Sequence, residues 1–217
     1  MKRLLVFLII ISCNAKKEDA KDFVTVTYNK KILDDTKIKM QNSFVKKETD
    51  LIFLGDSKTE GFPLQEMFND LRVKNRGIAG NTTKDVLSRL QNITSGHPNK
   101  IFLEIGLNDL SENVEPQKVF NNFTLICSRI KKESPNTKIF VQSVLPTTLE
   151  SKHLNSKISV YNGLIKKYCH ENNIDYIDLN PHFILNAELN RKYTIDGVHL
   201  NIEGYKLWKD LIVSYVK

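Results

Sequence analysis

The stretch Leu51-Ile52-Phe53-Leu54-Gly55-Asp56-Ser57 decides the fold. Four consecutive apolar residues without alternation suit a strand buried on both faces, the condition of a parallel sheet. Gly55 ends the run, and Asp56-Ser57 opens a polar turn. Downstream, residues 64–71 read as a helix and 73–77 as a second strand. Residues 83–93 read as a helix with Val86, Leu87, Leu90 and Ile93 on one face and Thr82 or Thr83 as its cap. A third strand covers 101–105, and a long helix covers 116–133 with Pro116 in its first turn. A strand at 138–144, a helix at 155–172, a strand at 174–177 and a closing helix at 202–216 complete the pattern. Upstream, 28–44 reads as a helix with Ile32, Thr36, Met40 and Phe44 at fourfold spacing, and 23–27 is β-prone enough for a short edge strand. Strands alternating with helices specify an α/β domain: a five-stranded parallel sheet, helices on both faces and right-handed crossovers. Ligands of such sheets bind beyond the carboxyl ends of the strands.

Chemically capable residues stand at those ends. The first strand runs into Gly55-Asp56-Ser57-Lys58-Thr59-Glu60-Gly61, which puts a serine hydroxyl on a strand-to-helix turn. It is not the G-x-S-x-G elbow, because Thr59 replaces the second glycine. The second strand runs into Ile78-Ala79-Gly80-Asn81, where Gly80 can present a backbone N–H with no side chain in the way. The third runs into Gly106-Leu107-Asn108-Asp109, and the Asn108 amide is a neutral donor able to meet an anion. Before the last helix stands Asp196-Gly197-Val198-His199, a carboxylate and an imidazole three residues apart. An imidazole that takes a serine proton needs a carboxylate on its other nitrogen to fix its tautomer. Each segment alone reads equally well as an ordinary turn.

Together the four segments resemble the SGNH hydrolases, the GDSL-type lipases and acylhydrolases, over about residues 50–217. Ser57, Gly80, Asn108 and His199 match the family's four blocks in order, with the acid, Asp196, three residues before the histidine. The resemblance implies a flavodoxin-like three-layer α/β/α sandwich. It also implies a serine esterase with a Ser57–His199–Asp196 triad and an oxyanion hole made by the Ser57 and Gly80 N–H groups and the Asn108 amide. No metal or organic cofactor is implied. Asn75-Arg76-Gly77-Ile78 and residues 205–208 look most like bacterial acylhydrolases acting on short acyl esters or O-acetylated sugars. Lysophospholipids or acyl thioesters are the alternative substrates, with Phe62, Leu64, Met67 and Phe68 as an acyl pocket or as core. The same segments would also suit a catalytically silent glycan-binding module or a phosphate-binding flavodoxin-like domain.

One residue departs from the family pattern. Lys58 follows the nucleophile where a hydrophobe is usual, and the reading is that its side chain leaves the helix start for solvent. A cation beside Ser57 would instead attract acidic substrates or help hold an oxyanion. Asp56 and Asp109 are expected to hold turns by accepting backbone hydrogen bonds. His97, His153, His170 and His182 lack a partner pattern and are expected to be structural or exposed.

The chain's 217 residues suit one domain, and a composition of 41% hydrophobic and 26% charged residues argues against disorder. Met1-Lys2-Arg3 followed by an apolar run over 4–11 reads as a secretory signal, too short to span a bilayer as a helix. Ile10-Ile11-Ser12-Cys13 resembles a bacterial lipobox. That implies a signal peptide over 1–12, lipidation of Cys13, a tether over 13–22 and the hydrolase domain over 23–217. The implied location is the cell envelope, anchored by lipid at the outer membrane of a Gram-negative bacterium. Lys16-Lys17-Glu18-Asp19 also resembles the export signal of some surface-exposed lipoproteins. Loss of Lys2 and Arg3 leaves 30 basic against 25 acidic residues, about +5, with the lysines scattered in pairs. Without interleaved aromatics or a recognition motif, those pairs read as solvated helix faces rather than a nucleic-acid surface. The expected partner is therefore a small-molecule or glycan ester, with the lipid anchor as the membrane contact. Cys127 and Cys169 are expected to fill core, with a bridge between them left open.

Overall fold

The computed structural model describes residues 29–217. The expected signal segment, the tether and the edge strand at 23–27 lie outside the described residues. The chain opens with α1 (Lys30–Ser43) and then enters β1 (Leu51–Gly55). Two short helices, α2 (Ser57–Glu60) and α3 (Leu64–Phe68), lead to β2 (Val73–Gly77), α4 (Thr83–Thr94) and β3 (Lys100–Glu104). After α5 (Leu107–Ser111) come α6 (Pro116–Glu133), β4 (Lys138–Gln142), α7 (Asn155–Glu171) and β5 (Asp175–Ile177). Helix α8 (Asn180–Phe183), a hairpin of β6 (Ile184–Leu185) and β7 (Glu188–Leu189), and α9 (Ile202–Val216) close the fold.

The main sheet has the order β2-β1-β3-β4-β5, and every neighbouring pair is parallel. The expected five-stranded parallel sheet is therefore present. The chain leaves β1 outward to β2 and returns on its other side to β3, so a crevice opens at the carboxyl ends of β1 and β3. The strand side chains alternate between two cores. Ile52, Leu54, Ile101, Leu103, Ile139 and Val141 meet α4, α6 and α7 on one face. Leu51, Phe53, Phe102 and Phe140 meet α3 and α9 on the other. Burial on both faces is why the sequence over 51–54 shows no alternation.

Helix boundaries follow local chemistry. Thr82 caps α4, and Asp85 returns the bond to the Thr82 N–H, a full capping box. Helix α3 stops at Phe68, three residues before the expected end, because Asn69 turns left-handed (φ +48°) and its N–H closes onto the Gln65 carbonyl. Strand β4 stops at Gln142 rather than 144. There the Val144 N–H is taken by the Asn162 side chain, and the Ser143 hydroxyl accepts from the Asn180 N–H. Helix α1 forms as expected, but Ile32, Met40 and Phe44 on its apolar face are 61%, 56% and 46% exposed. Cys127 and Cys169 are both free, buried thiols in the α4–α6–α7 core.

The second core is built on aromatic rings. Phe62 lies 5.1 Å from the rings of both Tyr205 and Trp208, and Phe53 stacks on Phe102 at 4.5 Å. Trp208 is fully buried, and its indole N–H donates to the Gln142 side-chain oxygen at 2.7 Å. Trp208→Ala removes that volume and strands a buried acceptor. It is expected to lower stability by ~3–5 kcal/mol, read as a fall in the urea midpoint.

Candidate active site

The site is assembled at the carboxyl ends of β1, β2 and β3. Strand β1 must end in glycine, because a Cβ at Gly55 would lie 2.3 Å from the Thr59 hydroxyl oxygen and 2.4 Å from the Glu104 carbonyl oxygen. The chain then turns at once into α2, with Ser57 as its first residue. The Asp56 carboxylate accepts from the Lys58 N–H and caps the turn. The Tyr205 hydroxyl donates to the Lys58 carbonyl from α9. From β2, the Asn75 amide donates to the Thr59 carbonyl at 2.6 Å and to those of Glu60 and Phe62 at 3.2 and 3.1 Å.

Ser57 and His199 meet across 142 residues of sequence. The His199 Nε2 lies 3.0 Å from the Ser57 Oγ, and its Nδ1 lies 2.6 Å from the Asp196 Oδ2. The other Asp196 oxygen accepts from the Val198 and His199 N–H groups and shapes the loop. Partial burial pushes the Asp196 carboxyl upward. The hydrogen bonds from His199 and Val198 outweigh it and hold the group below the usual carboxylate range. The imidazole and the carboxylate are 42% and 49% exposed, so the site is open to water-borne substrate.

Gly80 sits in the loop after β2 at φ +70°, a conformation that favours glycine. Among the described residues, no acceptor takes the N–H of Ser57 or of Gly80. Asn108 stands near the start of α5, and its amide spends one N–H on the Asn81 carbonyl at 2.9 Å, which ties the β3 turn to the Gly80 loop. Asp109 accepts from both the backbone N–H and the hydroxyl of Thr83, fastening the start of α4. Asp56 and Asp109 thus hold turns, as expected. His97, His153, His170 and His182 are all exposed. Phe62 and Leu64 are core residues, with Met67 and Phe68 packed against them, and the cleft whose wall Phe62 and Leu64 share holds neither Ser57 nor His199. Clefts of about 430 and 410 Å³ lie elsewhere, one along α7 and β5 and one beside β2, and neither is lined by Ser57 or His199.

The expectation for Lys58 is overturned. Its side chain is 1% exposed and runs under the turn that carries Ser57, with Nζ 3.4 Å from Glu104 and 3.7 Å from Asp56. Two carboxylates draw the ammonium inward, and α2 is too short for its pattern to show which face is buried. The sequence reading also missed Glu104, Asn75 and Arg89. Arg89 reaches from α4 to the Asn81 side chain and the Gly55 carbonyl. Glu104 had a signal: a carboxylate inside a strand buried on both faces requires a partner.

Similarity to known proteins agrees with this geometry. Residues 53–207 match the GDSL-like lipase/acylhydrolase family. The chain is 29% identical over 191 residues to platelet-activating factor acetylhydrolase IB subunit alpha2 of Homo sapiens, covering 82% of each protein. It is 27% identical over 174 residues to N-acylneuraminate cytidylyltransferases of Streptococcus agalactiae, covering 79% of this chain and spanning only 40% of those longer proteins. A GDSL-like lipase from Bacteroides thetaiotaomicron superposes with a TM-score of 0.75 at 26% identity, over 84% of this chain and 96% of that one. The chain belongs to the GDSL-like lipase/acylhydrolase family, within the SGNH hydrolase superfamily.

Proposed function

We propose that the protein is a serine esterase that removes short acyl groups, above all O-acetyl, from carbohydrate or other small polar alcohols. The observation that carries this reading is the unbroken Ser57 Oγ–His199–Asp196 relay of 3.0 and 2.6 Å at the crevice of the sheet. In the proposed reaction, Nε2 of His199 takes the Ser57 proton as Oγ bonds to the ester carbonyl carbon. Asp196 holds the imidazole orientation and balances its positive charge. The negative oxygen is met by the N–H groups of Ser57 and Gly80 and by the Asn108 amide. The C–O bond to the alcohol then breaks, and His199 returns the proton to the departing alkoxide. Water, deprotonated by the same imidazole, attacks the acyl-Ser57 ester; the C–O bond to Ser57 breaks, His199 returns the proton to Oγ, and the acid leaves.

The short-acyl preference rests on the shape of the site. Phe62 and Leu64 are spent in the core, and the relay is half-exposed rather than at the bottom of an apolar channel. An open rim suits a bulky polar alcohol better than a long alkyl chain. The human relative, by its name an acetylhydrolase, is in keeping with a small acyl group. The segment before α1 supports an anchored envelope protein: an apolar run stops at Cys13, and a charged stretch follows. On that reading Cys13→Ala moves the protein from the membrane to the soluble fraction of cells, and retention in the membrane fraction refutes lipidation at Cys13.

With p-nitrophenyl acetate, Ser57→Ala is expected to lower kcat by at least ~10⁴ and Asp196→Asn by about 10⁴. Asn108→Ala is expected to lower it by ~10²–10³ with a smaller change in KM. Full activity in Ser57→Ala rules out this nucleophile, and unchanged kcat in Asn108→Ala removes the amide from the oxyanion hole. Across p-nitrophenyl esters of increasing chain length, kcat/KM should be highest for acetate and decline steadily. A maximum at long chains would instead favour a lysophospholipase or thioesterase.

A further inference from the structure

Beneath Ser57 lies a cluster of charge that the reaction above does not use. Asp56, Lys58 and Glu104 are 1%, 1% and 0% exposed at the side chain. The Lys58 Nζ stands between the two carboxylates, and it, Asp56 Oδ2 and both Glu104 oxygens make no full hydrogen bond. An ion cluster buried in this way gives little net stability, because desolvation offsets the attraction. Its location is informative. Asp56 and Lys58 flank the nucleophile, and Glu104 ends the strand whose following turn carries Asn108. Lys58 therefore bridges two of the three segments that present oxyanion donors.

We propose that Lys58 and Glu104 are positioning residues: their buried contact joins the nucleophile turn to β3, and the charge on Glu104 acts on the oxyanion site above it. The inference rests on Ser57 being the nucleophile. Burial pushes Glu104 up to about 8, against the opposing pull of Lys58 and with the push of Asp56. Burial also works against the Lys58 cation, but Asp56 and Glu104 outweigh it and keep the ammonium charged. Below about pH 8 Glu104 then keeps its proton. Above it, Glu104 ionises and adds one negative charge under the site. A negative charge there opposes the developing oxyanion, so kcat falls as pH rises. Other titratable groups facing Glu104 are the hydroxyls of Tyr205 from α9 and Tyr161 from α7. Burial raises both phenols, so they stay neutral through this range.

The test is the pH profile of kcat for enzymatic p-nitrophenyl acetate hydrolysis, with spontaneous hydrolysis subtracted. Wild type should show a fall in kcat as pH rises through about 8, and Glu104→Gln, which cannot ionise, should lose it. Lys58→Met should lower kcat by ~10- to 10²-fold with KM within about threefold, as expected for a shifted donor. It should also move the alkaline fall to higher pH, because the cation that favours ionised Glu104 is gone. No alkaline fall in wild type, or the same fall in Glu104→Gln, overturns the proposal. If Lys58→Met does not fold, the Glu104→Gln profile still decides. Labelling of wild type by a fluorophosphonate probe separates the two levels. Without a label on Ser57 the esterase reading fails and takes this inference with it. A labelled Ser57 with no Glu104-dependent fall overturns the inference alone.

Discussion

The turn through Gly55, Asp56 and Ser57 can exist because β1 ends in a residue with no side chain. Any Cβ there would collide with Thr59 in α2 and with the Glu104 backbone in β3. With that space empty, α2 starts flush against the neighbouring strand, and the serine hydroxyl emerges at the sheet edge. A helix of four residues has no stability of its own, since nucleation alone is unfavourable. It is held from outside by the Asp56 cap, the Asn75 amide from β2 and the Tyr205 hydroxyl from α9. Sheet, crossover and closing helix thus all contribute to one serine's placement. The aromatic core around Trp208 does so indirectly, because it seats the helix that carries Tyr205.

Beneath that turn the molecule accepts an electrostatic cost where a hydrophobe would pack freely. An ammonium 1% exposed survives there because Asp56 and Glu104 surround it. Asp56 already spends one oxygen on the Lys58 N–H, so its cap and its charge act on the same residue. An apolar pair in place of Lys58 and Glu104 would avoid the desolvation penalty altogether. The cluster is therefore poorly explained by stability; it joins the turn that carries Ser57 to the strand that leads to Asn108.

Much of this was legible in the sequence, for a physical reason. The strands of the main sheet are buried on both faces, so their apolar runs stand out, and the long helices carry one-sided stripes with clear caps. Pro116 and Val216 bound their helices where composition says they should. The four site segments could be located because a parallel sheet delivers every strand's carboxyl end to one edge. What could not be read were elements too short for periodicity: α2, α5, α8 and the hairpin at 184–189. The direction of Lys58 depends on Glu104, forty-six positions away on the neighbouring strand, and no local pattern encodes that pairing. In α1 the apolar spacing gave the helix but not its exposure, because periodicity reports a face without saying whether anything covers it.

The loop that brings the imidazole is stiffened by the same carboxylate that orients it. Asp196 uses one oxygen on the His199 ring and the other on two backbone N–H groups, while Thr194 donates to the His199 carbonyl and accepts from the Gly197 N–H. The Thr148 N–H closes onto the Gly197 carbonyl and fastens the loop to the segment after β4. A half-exposed relay can therefore keep its geometry without being walled in. That combination reconciles an open site with a fixed imidazole: rigidity comes from backbone hydrogen bonds behind the histidine, and its front stays open to solvent.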